Sequence, residues 1–308
     1  MTRCVVITGA DGFIGRHLAR RFSDEGYSVF ALIRENSSGS ACLADIPRVQ
    51  VVSLDLRQWS SFFEHLPQEP EAFIHLAWGG VSPECRDDFP TQASNIPLSL
   101  DAVCLAAALH AKRFILPGST MEYAYSGQII SATACPSPQN AYGAAKIAAR
   151  YLCAALAAEL HISFIYAVIS GIYAPDRRDN NVIWYTIRSL LDGDVPKLTK
   201  LEQKWDYIHI DDVTQAFLLI AQKGKAGAFY TIGHGDNCPL SDYITVIRDI
   251  IDPALPLGIG EIPYKDERLP SSCVDLQPLH EDTGFIPAIP FEEGIRDVIR
   301  QVQKETGK

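Results

Sequence analysis

The sequence predicts an α/β protein, a doubly wound parallel sheet carrying a smaller C-terminal lobe. Three observations predict it. Short apolar runs alternate with longer helical stretches through the first half of the chain. Those runs are almost continuously apolar rather than alternating, which suits strands buried on both faces, as in a parallel sheet. After Gly171 the alternation gives way to Pro, Gly and short helical segments, the pattern of a smaller lobe packed on the sheet.

Taken in order, residues 4–8 form the first strand, followed by a Gly-rich turn and a helix over about 12–25. Strands follow at 28–33, 49–54, 72–76, 113–117 and 163–169. Between the last three lie Ala/Leu-rich helices at 95–111 and 142–160. The segment 206–230 reads strand–helix–strand and returns to the large sheet. The predicted organisation is therefore a dinucleotide-binding domain over 1–170, joined again by 205–233. A substrate-binding lobe takes 171–204 and 234–308.

Composition narrows the function. The 308 residues are 47% hydrophobic and 21% charged, values of a folded globular chain. With 27 basic against 37 acidic residues the net charge is −10. That balance excludes the cationic footprint of a nucleic-acid or anionic-membrane binder, but not a pocket for a small anion. No apolar run is long enough for a membrane span, and the apolar stretch before Asp11 is too short for a secretory signal. The eight cysteines are scattered, without C-x-x-C or a Cys/His cluster, so no metal site is expected. They read as small buried hydrophobes in a reducing compartment, and the expected location is cytoplasmic.

Chemistry concentrates in two places. The run TGADGFIG at 8–15 follows a strand and opens a helix. Gly9 suits a tight turn, Gly12 a close approach by a pyrophosphate, and Gly15 close packing of helix on sheet. The helix N–H groups around Asp11, Phe13 and Ile14 would meet the phosphates, giving a Rossmann-like cofactor site. The second strand ends in Arg34, with Glu35, Asn36, Ser37 and Ser38 behind it. A cation with hydroxyl and amide donors suits a 2′-phosphate and favours NADP(H) over NAD(H). The other reading gives the ribose to Glu35 and leaves Arg34 solvated. Asp55 and Leu56 after the third strand suit the adenine amino group, or Asp55 merely caps its loop.

The second place is Tyr142-Gly-Ala-Ala-Lys146. Residues i and i+4 share a helix face, so the ammonium would lie beneath the phenol and lower its pKa toward working pH. Tyr142 then becomes a general acid or base.

With these motifs the chain resembles the extended short-chain dehydrogenase/reductases, the family of nucleotide-sugar epimerases, dehydratases and ketoreductases. The resemblance runs through TGADGFIG, DL at 55–56, HLAW at 75–78, Asn95, GSTMEYA at 118–124, YGAAK at 142–146, IYAP at 172–175, WDYIHIDDV at 205–213 and EDTGF at 281–285. It implies that Ser119 hydrogen-bonds a sugar carbonyl, that Tyr142 donates its proton, and that Lys146 tunes Tyr142 and holds the nicotinamide ribose. It also implies cofactor contacts from Leu76, Ala77 and Asn95, and a homodimer through the two Ala-rich helices. Without the family, Ser119 would read as a turn or helix-cap residue.

Members differ in the two residues after the catalytic hydroxyl. Dehydratases carry Asp-Glu there, and 3,5-epimerase/reductases of the fucose-synthase type carry a Cys second. Here they are Thr120 and Met121, so redox at a single carbinol carbon remains. Glu122 before Tyr123 resembles 4-keto-6-deoxysugar reductases, although a polar loop residue would look the same. These features point to an NADPH-dependent C4 ketoreductase acting on a nucleotide-diphosphate sugar. An NAD-dependent 4-epimerase is the alternative, and a non-catalytic NADP(H) sensor a third. The resemblance also points to Thr120 and Met121 beside Ser119, and to Asn181, Lys265 and Arg268, as substrate ligands, with surface charge as the other reading for the last two. Gly171 replaces a common Asn, and Trp205 replaces the Arg of epimerases; the Trp either stacks on a base or fills core. His75 and His209 are expected to be structural.

Overall fold

The computed structural model describes residues 3–35, 37–177, 181–264 and 268–307. In chain order the first half comprises β1 (Cys4–Thr8), α1 (Phe13–Asp24), β2 (Ser28–Ile33), β3 (Val49–Ser53), β4 (Ala72–His75), α2 (Phe89–Ala108), β5 (Phe114–Ser119), α3 (Ala141–Glu159) and β6 (Phe164–Ile169). The second half comprises β7 (Gly171–Tyr173), α4 (Val182–Asp192), β8 (Lys197–Leu198), β9 (Lys204–Trp205), β10 (Tyr207–His209), α5 (Ile210–Lys223), β11 (Phe229–Ile232), β12 (Cys238–Pro239), α6 (Leu240–Ile251), β13 (Gly258–Ile259), α7 (Gln277–Thr283) and α8 (Phe291–Thr306).

Seven parallel strands form the central sheet in the order β3-β2-β1-β4-β5-β6-β11. The period of two along each strand feeds two cores. Val5 and Ile7 of β1 face one cluster with Phe22 of α1 and Phe217 of α5. Val6 faces the other, with Val103 of α2 and Cys153 of α3. On α3, Ala145, Ala149, Cys153 and Ala157 are all buried, a stripe at four-residue spacing. The winding direction reverses between β1 and β4, which opens a crevice at the carboxyl ends of the strands.

A third apolar cluster, including Ile187, Ile244 and Ile295, joins α4, α6 and α8 in the smaller lobe. Only part of the 206–230 segment returns to the large sheet. α5 and β11 do, but β10 pairs with β7 instead. The chain leaves the sheet at Ser170, whose hydroxyl donates to the buried Asp206 carboxylate at 2.7 Å, while the Gly171 N–H donates to the Asp206 carbonyl at 3.0 Å. Those bonds pull β7 towards β10.

Candidate active site

The glycine turn is shaped by what it touches. Gly9 has φ +63°, and a Cβ there would sit 2.8 Å from the Ala77 nitrogen. At Gly15 a Cβ would run into the Gly9 carbonyl and lie 2.6 Å from the Ala10 Cα, so α1 can approach the turn only as glycine. Gly12 caps α1 without a side chain, and the first turn carries no acidic residue. The N–H groups of Phe13 and Ile14 therefore start a helix whose positive end faces the crevice. These residues fit a dinucleotide pyrophosphate.

The adenosine side is less open than the sequence reading expected. Arg34 stands exposed past β2. Asp11 accepts a hydrogen bond from the Ser37 hydroxyl, tying the glycine turn to the loop after β2. Asn36 lies outside the described residues. Asp55 accepts its own Arg57 N–H at 3.0 Å and the Arg57 guanidinium at 2.8 Å, and this pairing holds its carboxyl below the usual range. Leu56 beside it is buried.

Past β4, a buried relay sets the crevice floor. The Ala77 N–H donates to the Thr8 hydroxyl at 3.2 Å, and that hydroxyl meets His75 Nδ1 at 2.8 Å. His75 Nε2 lies 3.1 Å from the Ser99 hydroxyl, which itself donates to the Asn95 carbonyl at 2.9 Å. Ser99 spends its proton there, so Nε2 carries the hydrogen, and Thr8 donates to Nδ1. Burial pushes His75 down to about 3, keeping it neutral, with Lys146 adding to the effect. His209 is likewise structural in position: its ring nitrogen accepts the Asp211 N–H at 3.3 Å at the start of α5. Leu76 donates its N–H to the Thr8 carbonyl. The Asn95 side chain accepts the Gly79 N–H at 2.6 Å and donates to the Gly79 and Thr91 carbonyls at 3.1 and 3.0 Å. Asn95 thus clamps the loop that carries Trp78.

At the end of β5, Ser119 caps a short turn over Thr120–Glu122 and accepts the Met121 N–H at 3.2 Å. Asn140 caps α3 by accepting the Gly143 N–H at 3.0 Å. A Cβ on Gly143 would lie 2.6 Å from the Met121 carbonyl oxygen, so this glycine lets α3 start against the turn. That contact sets Tyr142 beside Ser119, close enough for the serine to ease ionisation of the phenol. Lys146 Nζ lies 3.8 Å from the Trp78 ring centre, 5.9 Å from that of Tyr142, and donates to the Pro117 carbonyl at 3.2 Å. The expected lowering of Tyr142 by Lys146 is not what this arrangement gives. Burial and then Glu122 push the phenol up to about 12, against the Ser119 hydrogen bond and Arg86. The ammonium faces Trp78 instead.

The structure thus links the glycine turn, residues 76–77, Ser119, Tyr142 and Lys146 through successive contacts along one strand edge. Trp78 bridges the two halves, standing edge-on to Tyr142 at 6.0 Å between centroids. Sequence reasoning missed it; no local pattern marks a long-range cation–π contact. In the smaller lobe, Asn181 caps α4 by accepting the Trp184 N–H at 3.0 Å, and Arg268 lies 4.3 Å above the Tyr125 ring centre. Thr120 is buried and Met121 half-buried, while Lys265 lies outside the described residues. Gly171 and Trp205, two separate departures in the sequence, form one packing unit. A Cβ on Gly171 would lie 2.9 Å from Trp205 Nε1 and 2.8 Å from the Tyr207 ring. Among the described residues, no helix is long and apolar enough to cross a membrane, and no His/Cys/Asp/Glu group is arranged to hold a metal.

A model of the NAD dependent epimerase/dehydratase family matches residues 5–233. The chain belongs to that family. GDP-6-deoxy-D-mannose reductase of Pseudomonas aeruginosa is 26% identical, with 97% of each chain covered. CDP-abequose synthase of Salmonella muenchen is 23% identical over 96% of each. Among solved structures, UDP-N-acetylglucosamine 4-epimerase from Methanobrevibacter ruminantium M1, in complex with UDP-N-acetylmuramic acid, superposes with a TM-score of 0.85 at 18% identity, covering 99% of both chains. A dTDP-glucose 4,6-dehydratase from Bacillus anthracis in complex with NAD gives 0.83 at 17% identity, covering 99% of this chain and 98% of that one. At such identities the structural likeness speaks to the fold of this family member.

Proposed function

We propose that this member of the epimerase/dehydratase family is an NADPH-dependent reductase of the C4 ketone of a nucleotide-diphosphate 4-keto-6-deoxyhexose. One observation carries the reading. The two positions after Ser119 hold Thr120 and Met121, and neither moves a proton off carbon. The carboxyl of Glu122, one residue further on, is buried, where its Oε1 accepts the Ser119 N–H at 2.6 Å and the Tyr166 hydroxyl at 2.7 Å. Elimination and C3/C5 epimerisation both need an acid or base at the sugar carbons. Hydride chemistry at one carbinol needs only a hydroxyl donor and a proton donor.

NADPH, when bound, supplies the hydride. The N-terminus of α1 and the glycine turn would hold its pyrophosphate, and Arg34 would bind its 2′-phosphate. Ser119 hydrogen-bonds the C4 oxygen and orients the ketone. Tyr142 gives its proton to that oxygen as negative charge develops, and its raised pKa keeps the phenol protonated through neutral pH. Lys146, held by Trp78 and Pro117, supplies positive charge beside the group. Asn181 and Arg268, with Lys265, are the proposed contacts to the substrate's nucleotide diphosphate. The protein is also proposed to pair through α2 and α3, where Tyr151 and Leu152 are exposed.

The test is Tyr142→Phe, which should lower kcat by about 10²–10⁴-fold with NADPH binding unchanged. Ordinary turnover in that variant would overturn the reading. A second reading, an NAD-dependent 4-epimerase, is favoured by one observation. The Ser37 hydroxyl, one of the donors suited to a 2′-phosphate, is already engaged by Asp11. Arg34→Ala separates the two readings, because it should weaken NADPH about tenfold and leave NADH unchanged if the arginine meets a 2′-phosphate.

A further inference from the structure

We propose that Glu122 is a positioning residue whose buried carboxylate anchors Ser119 and serves as the counter-charge that keeps Lys146 protonated. The proposal rests on the reading of Ser119, Tyr142 and Lys146 as the reducing site, and it adds a group that does not touch substrate.

The geometry around Glu122 is built rather than incidental. Its side chain has no exposed surface, and Oε1 takes both hydrogen bonds, from the Ser119 N–H and the Tyr166 hydroxyl. Tyr166 reaches it from β6 by crossing Gly118, where a Cβ would lie 2.6–2.7 Å from its ring and hydroxyl. A glycine inside a strand marks such close approach. Oε2 is buried and has no hydrogen-bond partner among the described residues.

Lys146 is buried against the same short segment. It holds the Pro117 carbonyl while Glu122 holds the Ser119 N–H, with only Gly118 between. The charged and titratable groups facing Glu122 are Lys146, Arg150 and Tyr142 from α3, Tyr166 from β6, and Tyr123 from the turn. Arg150 has partners of its own: it donates to the Tyr123 hydroxyl at 2.6 Å and lies over the Tyr166 and Phe229 rings. Burial raises the Glu122 pKa to about 7 and lowers that of Lys146 to about 8, and each charge opposes the shift of the other, so the pair is charged together between those values.

The choice of Glu is informative. A neutral Gln could accept the same two hydrogen bonds without the cost of burying a carboxylate. A carboxylate here has a purpose if it stabilises a second buried charge. Its field favours the Lys146 ammonium and disfavours a Tyr142 phenolate, so both protons needed for ketone reduction are held to higher pH.

The test compares pH profiles of kcat/KM for the wild type, Glu122→Gln and Tyr166→Phe, with NADPH and a nucleotide 4-keto-6-deoxysugar. Glu122→Gln keeps the acceptor and loses the charge, so its alkaline limb should move down by about one pH unit. Tyr166→Phe loses one hydrogen bond and keeps the charge, so its alkaline limb should stay in place while its unfolding midpoint falls. A Glu122→Gln limb that superimposes on the wild type, or a Tyr166→Phe limb that moves equally far, overturns the proposal. Infrared titration of the wild-type protein reads Glu122 without substrate and without a variant that must fold. The proposal expects the protonated buried-carboxyl band to vanish as pH rises through about 7, and a band that persists into the alkaline range overturns it. Absence of any NADPH-dependent turnover in the wild type would fault the reductase reading instead, leaving the infrared result to judge Glu122.

Discussion

Asn95→Ala separates a residue that binds cofactor from one that holds the loop beneath it. The Asn95 side chain is 3% exposed and bonds both polar groups of Gly79 as well as the Thr91 carbonyl. Gln92 secures the next residues, accepting the Trp78 indole N–H at 3.0 Å and donating to the Gly80 carbonyl at 2.7 Å. Alanine at 95 removes these hydrogen bonds and a longer one to the Gln92 carbonyl at 3.4 Å, and strands the Gly79 N–H and carbonyl. A net hydrogen bond contributes about 1 kcal/mol, and a stranded buried partner costs about 1–3 kcal/mol. Gly79 is half-buried, so water replaces part of the loss, and about 2–3 kcal/mol remains. Urea unfolding without cofactor should show a lower midpoint at unchanged slope. NADP(H) binding should weaken as well, because Trp78 loses its seat beside Tyr142 and Lys146. Unchanged unfolding with weakened cofactor binding would refute this reasoning and make Asn95 a direct ligand, as the family resemblance implies.

Further outcomes follow from the same contacts. Gly15→Ala forces a methyl into the Gly9 carbonyl and should weaken NADP(H) binding at least tenfold in a fluorescence titration, with loss of about 1–3 kcal/mol of stability. Gly171→Ala presses on both Trp205 and Tyr207 and should destabilise by a similar amount, read as a lower unfolding midpoint. His75 is held neutral, with a folded pKa of about 3 against about 6.5 unfolded, so the unfolded chain binds the extra proton between those values. Its contribution is complete above about pH 6.5 and is lost as pH falls toward 3, with a slope of up to about 1.4 kcal/mol per pH unit. His75→Gln should be less stable at neutral pH and show a shallower acid limb in urea unfolding measured across that range.

The legible parts of the fold were those with local signatures. Strands 4–8 and 28–33 read to the residue because continuous apolar runs end at turn formers. The strand read as 113–117 instead continues to Ser119, because Gly118 makes room for Tyr166 and the ladder to β6 persists past the proline. The helix read as 95–111 begins at Phe89: Asp88 accepts the Thr91 N–H and Pro90 sits in the first turn, whereas Pro97 inside the helix disguises its continuity. At the site, Gly9, Gly15, Ser119, Tyr142 and Lys146 were legible from spacing and resemblance. Trp78, Tyr166 and the pairing of Gly171 with Trp205 were not, because each depends on a contact between residues distant in sequence. The partner of Lys146 was misread for the same reason. Helical spacing fixes which face two residues share, but not which neighbour from another element claims the ammonium.

Net reduction at C4 is tested by incubating the protein with NADPH and a panel of nucleotide-diphosphate 4-keto-6-deoxysugars. Nicotinamide absorbance and product configuration would be followed together. Net reduction predicts stoichiometric loss of NADPH and a single C4 alcohol from at least one substrate, both abolished in Tyr142→Phe. Interconversion of C4 epimers with no net consumption of NADPH would contradict it.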